Sequence, residues 1–305
     1  MCSNSGEPHE WPVVEGIPVL LPSRAEVERR GYWTQEVVDV SLNRANDPGA
    51  DAFDGTVHPH VTTIIASTGG FMYRGITLTR YPIPELRMPA GDGLALLDVG
   101  CNWGRWSVAA ARAGYNVTGM DVDLSGLRAA QHATRTCGVA AQFVCADARM
   151  MPFAPESFDR VFSYSVIQHF AKTEARVILT EVARVLEPGG ETLIQMPNRW
   201  GVRSLYHQTC RRFREGARFD VRYYSLAELI SLFRSAVGPS SIMVDGFFGL
   251  GIQPADADLM PAFRRAVIRA SEFLRRRSRR HTWLTGIADS VYVSSKKLRR
   301  ESVPV

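Results

Sequence analysis

The chain has 305 residues, 45% of them hydrophobic and 22% charged, with a net charge of +5. These are the proportions of a soluble globular protein with one main domain plus attachments. The five cysteines, Cys2, Cys101, Cys137, Cys145 and Cys210, are scattered and form no C-x-x-C pair, which speaks against a disulfide frame and a structural metal. No apolar run approaches the roughly 18 residues of a membrane span, and no basic-then-apolar leader opens the chain. The expected location is the cytoplasm.

Residues 1–24 stand apart. The run 10–21 reads as a short hairpin turning at Glu15-Gly16. Residues 25–92 read as a helical lid and linker, with short helices over 24–30 and 34–43 and turns at Asp47-Pro48-Gly49 and Asp54-Gly55. His58-Pro59-His60 pairs two imidazoles, but the proline and the lack of nearby acids or cysteines argue against a metal.

The run 94–99 is apolar apart from Asp98, as expected for a parallel strand covered on both faces. It enters a turn, Gly100-Cys101-Asn102-Trp103-Gly104, that opens a helix over 103–113 stopped by Gly114. Asn102 stands where a further glycine is commoner, and asparagine tolerates positive φ. A second strand, 116–121, ends in Asp121, placed 21 residues after Gly100 to accept both hydroxyls of an adenosine ribose. A dinucleotide turn would need glycine at positions 102 and 105, where Asn and Arg stand. The pattern then continues as helix 124–136, strand 141–144, strand 159–164, helix 172–185 and strand 190–196, with later strands at 242–248 and 290–295. Alternation of this kind implies a parallel sheet with right-handed crossovers.

Residues 93–198 resemble the class I S-adenosylmethionine-dependent methyltransferases. Asp98 to Gly104 is similar to that family's first motif, Asp121 to its ribose acid, and Phe143 to Ala148 to its third strand with an acid facing the adenine amino group. Phe158 to Phe170 resembles the fourth strand and its turn, and Leu186 to Ile194 the turn into the fifth. The resemblance implies an α/β, Rossmann-like seven-stranded sheet over 93–300 with an antiparallel last strand, an N-terminal lid, and S-adenosylmethionine as cofactor. The implied cofactor-binding residues are Asp98, Gly100, Asn102, Gly104, Asp121, Val122, Asp147, Ala148 and Ser163. The hairpin is similar to half of the zinc-ribbon segment found before some bacterial members, here without metal ligands.

An insertion at about 197–225 begins at the carboxyl end of a strand, where ligands of open α/β sheets sit. It interleaves Arg, Tyr, Trp and His, which suits an anionic, sugar-containing or lipid-linked acceptor. Tyr164, Arg203, Tyr206, Arg211 and Arg212 are the candidate acceptor contacts, and His169 and His207 the candidate general bases. Residues 261–281 carry eight arginines and one acid, Glu272, with Phe263, Ala266, Val267, Ala270, Phe273 and Leu274 at helical spacing. That helix either packs on the core or meets an anionic partner, a membrane's inner face before nucleic acid. The expected activity is O-methylation of a sugar, glycolipid or secondary metabolite. The alternatives are RNA methylation and a non-catalytic cofactor-binding subunit.

Overall fold

The computed structural model describes residues 11–21, 55–68, 70–217, 219–249 and 253–299. The short helices read over 24–30 and 34–43, and the turn at 47–49, lie outside the described residues.

Seven strands form one sheet in the order β5-β4-β3-β6-β7-β9-β8. They are β3 (Ala95–Val99), β4 (Asn116–Asp121), β5 (Gln142–Cys145), β6 (Phe158–Ser163), β7 (Leu186–Pro197), β8 (Ser240–Gly246) and β9 (Ser290–Lys296). The first five run parallel, and β9 is antiparallel to both β7 and β8. β3 is central and buried because both faces are covered: Leu96, Leu97 and Val99 are fully inaccessible. The strand order reverses between β3 and β6, and that reversal opens a crevice at their carboxyl ends. The doubly wound α/β architecture is therefore as expected.

Helices α1 (Pro59–Thr68), α2 (Arg105–Arg112) and α3 (Leu124–Thr136) lie together on one side. Their apolar faces meet Trp103, Tyr73, Tyr81 and Met260. Helices α4 (Lys172–Val185) and α6 (Leu226–Ala236) cover the other side over a core of Leu97, Val161, Ile178 and Ile194. Local chemistry starts several of them. Asp123 caps α3 by accepting from Ser125 N at 3.1 Å, and Ser225 with Glu228 forms a capping box on α6. Helix α5 (Val202–Cys210) belongs to the insertion, and α7 (Ala262–Ser278) and α8 (Trp283–Ile287) precede β9. Among the described residues no helix is long and apolar enough to cross a membrane.

The N-terminal hairpin, β1 (Val13–Val14) and β2 (Ile17–Pro18), is not a separate module. Its exit strand bridges the sheet edge in parallel, Val19 beside Cys145, and Ile17 is fully buried. The pairing covers the free edge of β5, as exposed edges require. Helix α1 is fastened at its start by two histidines. His60 Nε2 lies 3.4 Å from Asp123, and the His58 backbone N–H donates to the Tyr81 hydroxyl, which contacts His132 Nδ1 at 2.7 Å. Burial, with His132 and His60 adding, pushes His58 down to about 4.

Helix α7 departs from the simple inward reading of its apolar stripe. Its buried positions are Ile268, Ser271 and Ser278, while Phe263 is 76% and Phe273 56% exposed. The arc that meets the core is set by the contacts of Val267, Ile268 and Leu274, not by the larger phenyls.

Candidate functional site

β3 ends at Val99 and the chain turns at once. Gly100 (φ 74°), Asn102 (φ 45°) and Gly104 (φ 76°) all take left-handed backbone. The Asn102 side chain steadies that turn, its Oδ1 accepting from Trp103 N at 2.9 Å. Space also demands glycine at 100, because a Cβ there would lie 2.2 Å from Cγ2 of Val166. The turn after β3 is thereby pressed against the turn after β6, across the crevice.

Asp121 closes one side of this turn. Its Oδ2 accepts from Asn102 N and its Oδ1 from Asp123 N, each at 2.9 Å. Burial first, and then the Asp123 charge, lifts its carboxyl to about 6. Val122, beside it, is half-buried. Asp98 is 1% exposed and accepts from Ser107 Oγ at 2.7 Å, which ties α2 to β3. Burial pushes it up to about 7. The Ser163 hydroxyl likewise ties strands together, donating to Val99 O at 2.9 Å.

Asp147 has a partner that the reading of the chain missed. Arg149 Nε donates to its Oδ1 at 3.0 Å and Nη2 to its Oδ2 at 2.6 Å. The same guanidinium reaches Glu174 at 2.6 Å and lies 5.3 Å from the Phe170 ring centroid. Glu174 Oε2 in turn accepts from Ala171 N at the start of α4. The end of β5 is thus clamped to the turn that carries His169. The local signal was Asp147-Ala148-Arg149, two opposite charges around a small buried residue.

His169 ends a short 3₁₀ turn, Ile167–His169. Its Nδ1 lies 2.6 Å from the carbonyl oxygen of Phe219. A carbonyl only accepts, so Nδ1 carries the proton and Nε2 keeps its lone pair. Burial holds the imidazole pKa below its ordinary value. Its Nε2 lies 3.4 Å from the Gln168 side-chain amide, and the Ser165 backbone also reaches the imidazole. His207 differs: its Nε2 accepts from Arg203 Nε at 3.1 Å.

The insertion folds back over this turn. Asn198 bridges Tyr224, Arg222 N donates to Gln168 O at 2.8 Å, and Arg222 Nη1 donates to His169 O at 2.5 Å. Arg203 also reaches Phe248 O at 3.2 Å, and Arg211 donates to Val221 O at 2.9 Å beside Asp220 and the Tyr223 ring. Arg211 and Arg212, with Arg214 and Glu215, line an open cleft of about 410 Å³. Tyr206 is 64% exposed on the outer side of α5. Tyr164 points the other way. It stacks on Trp106 at 4.5 Å and donates to Asp245 at 2.5 Å, where Ser290 and Arg87 also converge. Tyr164, Asp245 and Ser290 are all buried in that network.

Residues 97–194 match the family model described as a methyltransferase domain. Among relatives, the chain is 34% identical over 176 residues to Methyltransferase GfsG of Streptomyces halstedii, covering 57% of this chain and 62% of that one. It is 32% identical over 108 residues to a ubiquinone biosynthesis O-methyltransferase of Rhizobium leguminosarum bv. trifolii, covering 35% and 42%. The chain thus spans about half the length of the relatives it matches. A solved structure of an S-adenosylmethionine-dependent methyltransferase from Methanosarcina mazei aligns with a TM-score of 0.49 at 19% identity, over 68% of this chain and 94% of that one.

Residues 97–194 are thus a methyltransferase domain, and S-adenosylmethionine is the cofactor such a domain implies. The residues present fit that cofactor. A carboxylate has about four lone-pair sites, so after two backbone bonds Asp121 retains room for a ribose diol. The left-handed turn presents backbone rather than side chain to the crevice.

Proposed function

We propose that this protein methylates a hydroxyl group of a small-molecule, glycan or lipid-linked acceptor, with His169 as general base. The observation that carries the reading is the tautomer of His169. The Phe219 carbonyl fixes the proton on Nδ1 and leaves Nε2 as a lone pair, on a turn pressed against Gly100. An alcohol is a poor nucleophile until its proton has somewhere to go, and a neutral imidazole with a lowered pKa is ready to take it near neutral pH. S-adenosylmethionine, when bound, supplies an electrophilic methyl group on a charged sulfur. The chain's own work is to hold acceptor oxygen and methyl carbon at attack distance and to exclude water. One of the relatives is an O-methyltransferase, which supports oxygen as the methylated atom.

An anionic group on the acceptor suits the arginines of the insertion. Arg203 and Arg211 already spend part of their donor sets on protein oxygens, and the exposed Arg212 lines the cleft beside them. Neutralising Arg212 is expected to raise the acceptor KM and leave cofactor affinity alone.

The test uses labelled S-adenosylmethionine and acceptor pools of glycolipids, small metabolites and RNA. His169→Ala is expected to lower kcat on the methylated pool by roughly 100- to 10,000-fold with unchanged S-adenosylhomocysteine affinity. Native activity should rise with pH through a limb below 6.5, because the base works only when neutral. Full activity in the variant, or methylation of RNA alone, refutes the reading.

A further inference from the structure

The outer face of α7 carries a pattern that methyl transfer does not use. Arg265, Arg269, Arg276 and Arg277 are exposed there, and Arg279, Arg280 and His281 follow, also exposed. Phe263, Ala266, Ala270 and Phe273 recur at three- and four-residue intervals and make one outward apolar stripe beside them. The helix's one acid, Glu272, is mostly consumed inward, bonding Arg275 at 2.5 Å and lying 3.5 Å from Arg87. Arg276 also reaches it, and Arg277 lies over the Phe273 ring at 5.1 Å. Arg265, Arg269, Arg277 and Arg280 form no ion pair with another described residue. Helix α8 continues the pattern. Leu284 is buried, while Trp283 (68% exposed) and Ile287, one turn apart, face outward.

We propose that α7 and α8 dock this protein on the surface of an anionic lipid bilayer. Projecting phenyl and indole rings would enter the boundary between headgroups and acyl chains, while the guanidinium groups meet lipid phosphates. The stripe favours lipid over nucleic acid. Alanines fill the space between Phe263 and Phe273, so an apolar stripe runs beside the arginines along the helix, which suits insertion among acyl chains. Helix α7 is fastened to the end of β8, and α8 to the start of the insertion. Ser271 Oγ accepts from Phe247 N at 2.9 Å, and Asn198 Nδ2 donates to Gly286 O and Ala288 O at 2.9 Å each. Docking would therefore set the insertion against the membrane. The inference does not depend on which atom is methylated.

The full chain is sedimented with vesicles of pure phosphatidylcholine and of phosphatidylcholine containing one quarter phosphatidylglycerol. Binding is expected to the anionic vesicles, with loss at high salt. Phe263→Ser with Phe273→Ser should weaken it at least about tenfold. Arg265→Ser with Arg269→Ser should weaken it about 25-fold, near fivefold per arginine. S-adenosylhomocysteine affinity should stay native in both variants, which reports that they are folded. Failure of the native chain to bind anionic vesicles overturns the inference, as does equal binding to both vesicle types. Native-strength binding by both variants overturns it too. Binding of single-stranded RNA with no vesicle binding reassigns the face to nucleic acid.

Discussion

Replacing Gly100 by alanine tests the packing on which the whole site rests. The residue sits at φ 74°, where an L side chain costs about 1–2 kcal/mol. The new methyl would also lie 2.2 Å from Cγ2, 2.7 Å from Cγ1 and 3.0 Å from Cβ of Val166. Valine is stiff about its only side-chain torsion, so the clash is relieved by moving backbone, at about 1–3 kcal/mol for an overpacked site. Together these give a loss of about 2–5 kcal/mol in urea unfolding. The segment that must move carries His169, so kcat should fall as well, by on the order of 100-fold for an ångström of displacement. The double variant Gly100→Ala, Val166→Ala separates the two contributions. Removing both Cγ atoms leaves only the 3.0 Å contact to Cβ, so most of the overpacking is recovered while the backbone cost of about 1–2 kcal/mol stays. A Gly100→Ala variant within about 0.5 kcal/mol of native stability, with native kcat, would show that the two turns do not meet as described.

Asp121→Ala should weaken S-adenosylhomocysteine binding by about 2–4 kcal/mol in calorimetry, since charge-assisted bonds to the ribose are lost. The ionised carboxylate is the binding form and its pKa stands at about 6, so native affinity should fall as pH drops through 6 and stay flat above it. Affinity that does not change between pH 5 and pH 8 rules out this role. Asp98→Asn should stabilise the fold in a way that depends on pH. The native carboxyl titrates near 7 against 3.8 for the free group, so the native chain loses stability relative to the variant as pH rises from about 4 to about 7 and no further. The advantage of asparagine has an upper bound of about 4 kcal/mol, and thermal melts showing the variant less stable at pH 8 contradict it.

The order of the strands, the turn from Gly100 to Gly104 and the acid at Asp121 were legible in the chain, because each is written in neighbouring residues. Apolar runs bounded by glycine fix a buried strand, and the tight turn needs residues that tolerate positive φ. Partners far apart along the chain were not legible. Tyr164 is an expected acceptor contact, and nothing near it in the chain shows that its hydroxyl donates to Asp245, 81 residues on. The proton position on His169 is set by the Phe219 carbonyl, 50 residues away, and a backbone oxygen leaves no mark in composition. Arg149 sits two residues from Asp147, yet the sequence could not say that its side chain would fold back rather than face solvent. Helix α7 shows the limit most plainly. Periodicity groups Phe263, Ala266, Ala270 and Phe273 on one side of a helix, and that much the sequence determines alone. Whether the side is buried depends on what packs against the helix, and the contacts of Ile268 and Leu274 turned the phenyls outward.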